Sequence, residues 1–297
     1  MKKSIYILII IFLLILFVIF NVNDITNLSA KIFNTTPKVY VPVKNSYSLD
    51  KNYDYVKKTD NFVPHSRQDL LNILYTVFDN GYTNFTFYCP NEYKSCREDI
   101  EDIGSNQTLI TNIGNFVHPF NNFTNLKIST NSFGKVDIKV KKMYTESQIN
   151  FVNKVVEDYL NTLDKNMTLD NKLLKIHDYL IEKTNYDMEN TNEYGNAYDL
   201  FSKGKTRCSG YSDAFAVFLN KLGVQNIKVA SDDHVWNALY INNKWIHVDL
   251  TWDDPISKDT VITDFMRHKF YMIDTKTLLA YDTEDHYFDT DVYEELK

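Results

Sequence analysis

The strongest constraint in this chain is a pair of strand-like runs, residues 235–241 and 244–250, joined by Asn242-Asn243. Asparagine tolerates positive φ, so a two-residue link of this kind closes an antiparallel hairpin and fixes its register. With Ile241 opposite Lys244, Asp249 falls opposite Trp236 and His234 opposite Thr251. His234 and Asp249 become diagonal neighbours on one face, about 7–8 Å apart at the backbone and within side-chain reach. That face also carries Trp236, Ala238, Tyr240, Trp245 and His247. The opposite face carries Val235, Leu239, Ile241, Ile246, Val248 and Leu250, with Asn237 as its one amide. The pattern therefore predicts one packing face and one polar, aromatic face.

A helix precedes the hairpin. After Cys208-Ser209-Gly210 the apolar positions Tyr211, Ala214, Phe215, Phe218, Leu219 and Leu222 recur at i, i+3, i+4, i+7, and Gly223 stands where a helix-ending glycine belongs. Residues 203–206 lack the pattern, which puts Cys208 at the first turn. A helix N-terminus favours a thiolate there, with Arg207 as a further positive charge. Its backbone N–H groups suit an oxyanion. Singly, a buried thiol, a strand histidine and a turn acid are structural features. Together they are a nucleophile, a base and a carboxylate that orients the base.

The blocks Thr206-Arg207-Cys208-Ser209-Gly210-Tyr211-Ser212, His234-Val235-Trp236-Asn237 and Val248-Asp249-Leu250-Thr251-Trp252-Asp253-Asp254-Pro255 resemble the three motif blocks of the transglutaminase-like superfamily. The upstream segments Leu174-Lys175-Ile176-His177-Asp178-Tyr179-Leu180 and Asn185-Tyr186-Asp187 resemble the helix that precedes those blocks in bacterial members. The resemblance covers residues 145–256. It implies an α+β, papain-like core in which a helix-borne cysteine faces an antiparallel sheet. Cys208 would then be the nucleophile, His234 the base and Asp249 the orienting acid. Tyr198, Trp236 and Trp252 are the candidates for the oxyanion donor and substrate-binding positions.

Composition narrows the setting. The net charge of −7 offers no basic surface for nucleic acid. Tyr 21 and Phe 19 against Gly 8 and Pro 6 indicate ordered structure. Residues 5–20 are uninterrupted apolar residues after Lys2 and Lys3, a little short of the about 20 a membrane span needs. They read as a signal anchor with the rest of the chain outside the cytoplasm; a cleaved signal peptide, and hence a secreted protein, is the alternative. Cys89 and Cys96 are close in sequence and can pair in an oxidising compartment, which leaves Cys208 free; both as reduced thiols is the other reading.

The expected organisation is a signal segment at 1–22, a polar stalk at 23–60, a small α+β domain at 61–143 and the transglutaminase-like domain at 144–297. Helices are expected over 67–80, after Cys96, and from the Thr145-Glu146-Ser147-Gln148 capping box onward, with another at 169–183. Strands are expected at 82–88, 126–130 and 135–142. His118 reads as a loop histidine packed on aromatics, and residues 187–201 as a rim or lid. Residues 258–263 read as a loop, 265–273 as a last strand and 282–295 as a solvated edge. Cys208, His234, His247 and Asp249 have the side chains of a zinc site, but no Cys-x-x-Cys or His-x-x-x-His spacing supports one. Neither a metal nor a cofactor is therefore expected. The sequence reading is a cysteine acyl-transfer enzyme acting on carboxamide or peptide bonds of surface proteins or wall peptides. A non-catalytic surface module keeping the same fold is the alternative, and oligomeric state is not encoded in any feature of the chain.

Overall fold

The computed structural model describes residues 37–189, 195–254 and 267–297, together with 10–13 and 15. Most of the apolar run 5–20, the loop expected at 258–263 and the centre of the expected lid lie outside the described residues. Among the described residues, no helix is long and apolar enough to cross a membrane.

The N-terminal region opens with α1 (Arg67–Asp79), capped by Ser66, whose side chain accepts from the Asp69 N–H. β1 (Asn84–Tyr88), α2 (Cys96–Ser105), α3 (Gln107–Gly114), β2 (Phe123–Thr130) and β3 (Lys135–Lys142) follow. The three strands form an antiparallel sheet in the order β1-β3-β2. Cys89 and Cys96 are disulfide-bonded with Cα atoms 5.7 Å apart, fastening the end of β1 to the start of α2. The stretch read as a stalk is packed where it is described. Tyr53 and Val56 are buried, and Asp79 accepts from the Leu49 and Asp50 N–H groups. Its polar residues bind helix ends, which hydropathy alone reads as exposure.

α4 (Glu146–Thr162) begins at the expected capping box, with Thr145 and Gln148 reciprocally bonded. α5 (Leu169–Lys183) matches its expected bounds. A two-residue parallel bridge, β4 (Asn185–Tyr186) with β5 (Lys205–Thr206), brackets α6 (Ala197–Lys203). α6 corrects the lid reading for residues 197–201: Ala197, Leu200 and Phe201 are buried in the core. α7 (Cys208–Lys221) then runs into an antiparallel sheet in the order β6-β7-β8.

β6 (Asn226–Ala230) is the strand absent from the sequence reading. Asn226-Ile227-Lys228-Val229 alternates, but over only five residues, and Lys228 is buried against its charge. β7 (Val235–Ile241) and β8 (Lys244–Val248) pair in the expected register, from Ile241↔Lys244 to Asn237↔Val248. Asn242 and Asn243 have φ of 53° and 62°. The strand stops at Val248 rather than Leu250. Asp249 turns its carboxylate onto the Thr251 and Trp252 N–H groups and caps α8 (Leu250–Asp253) instead.

Both faces of this sheet are buried. Leu239, Ile241, Ile246 and Val248 pack against α5, α6 and α7. Trp236, Ala238, Ile227 and Val229 belong to a second core shared with the N-terminal region and the C-terminal tail. The face expected to be polar is thus largely covered, and Tyr240 is its exposed remnant. The cover is the segment read as a last strand and a solvated edge. Residues 267–273 supply a single bridge, His247↔Ile273, followed by α9 (Thr275–Ala280). Beyond it Val292, Tyr293 and Leu296 are buried. Each such side chain contributes about 1.5–3 kcal/mol of transfer free energy, so acidic neighbours did not keep this tail in water.

Candidate active site

Cys208 is the first residue of α7, and Arg207 is its N-cap, with no capping bond from the side chain. The Gly210 and Tyr211 N–H groups turn back to the Arg207 carbonyl, at 2.9 and 3.2 Å. Cys208 and Ser209 occupy the first turn, where backbone N–H groups lack intrahelical partners. The Arg207 guanidinium leans towards buried Asp187, 3.9 Å away, so its charge is already partly answered. Gly210 is required by close approach. A Cβ there would lie 1.8 Å from Thr206 Oγ1 and 2.9 Å from the Asn196 carbonyl oxygen.

Two side chains fix α7 against β7. Ser212 Oγ bridges the Cys208 carbonyl at 2.8 Å and the Val235 carbonyl at 2.9 Å. Asn237, the lone amide of the packing face, donates to the Ser212 carbonyl at 3.0 Å. The turn bearing the thiol is thereby held against the residue following His234. Cys208 and His234 line one cleft, and the nearby sulfur is among the groups that raise the His234 pKa.

His234 Nε2 lies 2.6 Å from Asp249 Oδ2. With Nε2 committed to a carboxylate, Nδ1 is the nitrogen left for sulfur. Burial opposes charge on His234, but the Asp249 carboxylate and the nearby Cys208 outweigh it and push its pKa up to about 10. Burial likewise favours a neutral Asp249, yet His234 and His286 hold its carboxyl well below the usual range. The charged form of His234 is thus favoured beside Cys208, with an ionised acid behind it.

The cleft containing Cys208 and His234 has a volume of about 460 Å³. One wall is the N-terminal region, through Gln107, Thr111, Asn122 and Phe123; the other is the loop of Ser231, Asp232 and Asp233. The region whose role the sequence left open thus faces the thiol. Lys228 also lines the cleft, its ammonium 2.7 Å from buried Asp213. A separate cavity of about 490 Å³, between residues 46–53 and the C-terminal end of α7, contains no cysteine.

Other candidates lie elsewhere. Tyr198, Trp236 and Trp252 do not line this cleft. Tyr198 packs edge-on against Phe151 at 5.4 Å. Trp236 stacks on His234 at 5.7 Å and donates from Nε1 to His247 Nδ1 at 3.0 Å. Trp252 contacts Asp249 through its backbone N–H, its ring facing His286 and Phe270. Each was chosen by sequence nearness to the triad, and side-chain direction took it elsewhere. His247 also bonds Thr275 Oγ1 at 3.0 Å, and burial pushes its pKa down to about 4. It is a satisfied core histidine.

Sequence reasoning missed His286, whose Nε2 lies 2.9 Å from the same Asp249 Oδ2. No spacing signal links it to the hairpin. His234, Asp249 and His286 have the donor atoms of a metal site. Tetrahedral bonds of about 2.0–2.1 Å would separate ligand atoms by about 3.3 Å, whereas those on Asp249 Oδ2 are at 2.6 and 2.9 Å. These separations suit N–H···O bonds. A second histidine–acid network links His177 to Asp253 at 3.1 Å and both His177 and His268 to Asp178. Burial opposes charge on His177, but the two acids raise its pKa. That network ties α5 to α8, the turn that Asp249 caps.

A helix-borne cysteine, a strand-end histidine and an acid beyond the next strand are thus gathered around one cleft. Residues 157–250 match the family model described as the transglutaminase-like superfamily. The chain is similar to kyphoscoliosis peptidase of Mus musculus, 25% identical over 186 residues, covering 56% of this chain and 27% of that protein. The Homo sapiens protein of that name is 24% identical over 194 residues, covering 58% and 28%. The chain thus spans little more than a quarter of the length of these curated relatives. A solved structure described as that of a TGase is 16% identical, with a TM-score of 0.33 over 51% of this chain and 50% of that one.

Proposed function

We propose that this protein is an extracytoplasmic cysteine acyl-transfer enzyme, tethered to the membrane through residues 5–20 or secreted, acting on carboxamide or peptide bonds of surface proteins or wall peptides. One observation carries the reading: Cys208, at a helix N-terminus, shares a cleft with His234, whose Nε2 lies 2.6 Å from Asp249 Oδ2. His234 takes the Cys208 thiol proton, the sulfur attacks the carbonyl carbon, and negative charge develops on oxygen near the first-turn N–H groups of the helix. His234 delivers its proton to the departing nitrogen as the C–N bond breaks, leaving a thioester. An amine acceptor resolves the thioester into a new amide, and water resolves it into an acid. Asp249 holds the imidazole in the tautomer both steps require.

The test is the iodoacetamide alkylation rate of Cys208 against pH, in the wild type and in His234→Ala. Cys89 and Cys96 are bonded to each other, so Cys208 is the free thiol of the chain. Rapid alkylation well below the ordinary thiol pKa of about 8.5, abolished in the variant, is the expected outcome. An ordinary thiol profile, the same in both proteins, would favour the non-catalytic binding module and end the enzyme reading.

A further inference from the structure

His286 is 1% exposed and lies at the centre of an aromatic box. Its ring stacks on Phe270 at 4.9 Å and meets Trp236 and Trp252, each at 5.1 Å. Its Nδ1 lies 2.6 Å from Thr283 Oγ1, and its Nε2 lies 2.9 Å from Asp249 Oδ2. An ionised carboxylate only accepts, so His286 presents Nε2–H to Asp249, with its Nδ1 paired to the Thr283 hydroxyl. Asp249 then has four donors, the Thr251 and Trp252 N–H groups on Oδ1 and two imidazoles on Oδ2. A buried carboxylate with one imidazole alone on Oδ2 is free to turn that oxygen out of the plane of His234. Two imidazoles converging on it from perpendicular rings, 89° apart, remove the freedom.

We propose that His286 is a positioning residue that extends the catalytic chain to Cys208–His234–Asp249–His286, clamping Asp249 Oδ2 for His234. The inference rests on the catalytic reading of Cys208 and His234. It gives the C-terminal tail a function, since the tail delivers to the centre a group that the motif blocks do not contain.

The discriminating variants are His286→Gln, whose amide nitrogen can reach the place of Nε2 and donate, and His286→Leu, which fills similar space with no donor. Thermal unfolding checks that each variant is folded, and the probe is iodoacetamide at pH 7 with His234→Ala alongside. His286→Gln is expected to react within about threefold of wild type and His286→Leu about tenfold more slowly, the rate equivalent of one bond to a charged group. Leucine at the wild-type rate overturns the proposal. Equal slowing by Gln and Leu also overturns it, because the ring's packing would then be its role. If His234→Ala fails to slow alkylation, the underlying enzyme reading falls instead. Long-range ¹⁵N–¹H NMR of the wild type needs no variant to fold. An Nε2–H tautomer at His286 is expected, and either an Nδ1–H tautomer or a metal-bound Nε2 would overturn the assignment.

Discussion

At the scale of single residues, Asp249 carries two tasks that one side chain rarely combines. Its Oδ1 ends β8 by capping α8, and its Oδ2 receives His234. Asp249→Asn keeps an acceptor for the cap but presents either an uncharged oxygen or an N–H to His234. The imidazolium loses its counter-charge and its fixed tautomer. Acyl transfer, and with it Cys208 alkylation near neutral pH, is expected to fall by at least about a hundredfold, given the effect of such changes in related triads. A stopped-assay comparison of the two proteins at equal Cys208 content checks this. The triad residues themselves were legible, because strand register and helix period place His234, Asp249 and Cys208 from local sequence. His286 was not. It comes from 37 positions beyond Asp249, and no short-range rule predicts where a tail will dock.

At the scale of elements, the junction of β5, α6 and α7 sets the position of the thiol. Gly210 lets the first turn of α7 press onto Thr206, and Ser212 and Asn237 lock that turn to β7. Gly210→Ala places a methyl group 1.8 Å from Thr206 Oγ1, an overlap that backbone movement must relieve. A loss of about 1–3 kcal/mol of stability is expected, read as a lower urea midpoint at unchanged slope. Cys208 alkylation should slow as well, since the movement carries the thiol from His234; a variant with wild-type midpoint and rate would refute this account of the junction. Helices were the most legible elements, as α4 and α5 announced themselves by capping residues and apolar stripes. β6 was hidden because five residues give too short an alternation, and α3 because its eight residues are too few for a clear period.

At the scale of the whole molecule, the tail, the N-terminal region and the catalytic sheet share one core. Tyr293 marks the junction, its hydroxyl accepting from Asn115 Nδ2 at 2.9 Å and from the Ala230 N–H at 3.1 Å. The same burial makes the fold acid-sensitive. His118 and His247 are held neutral, with pKa values pushed by burial down to about 3 and about 4. Below the unfolded value of 6.5 the unfolded chain therefore binds more protons, and stability falls as pH drops from about 6.5 towards 3. His234 acts in the opposite sense. Its raised pKa contributes stability that is complete below 6.5 and lost as pH climbs through about 10. Urea midpoints from pH 3 to 10 should trace a dome. His118→Gln should shallow the acid limb by about 1.4 kcal/mol per pH unit between pH 4 and 6, and an unaltered limb would count against a buried neutral His118.

By itself the sequence determined what short-range rules govern: the register of the 235–248 hairpin, the helix that starts at Cys208, the capping box at Thr145 and the resemblance of three motif blocks. Each depends on residues within a few positions of one another, where periodicity and turn chemistry act. Tertiary structure decided which sheet face is covered, which wall faces the thiol and which histidine backs Asp249. Those outcomes depend on long-range docking of residues 267–297 and 61–143, driven by burial of apolar area. That force has no preferred direction and leaves no pattern in local sequence, so acidic Asp282–Asp291 neighbours gave no sign that His286 would be drawn into the centre.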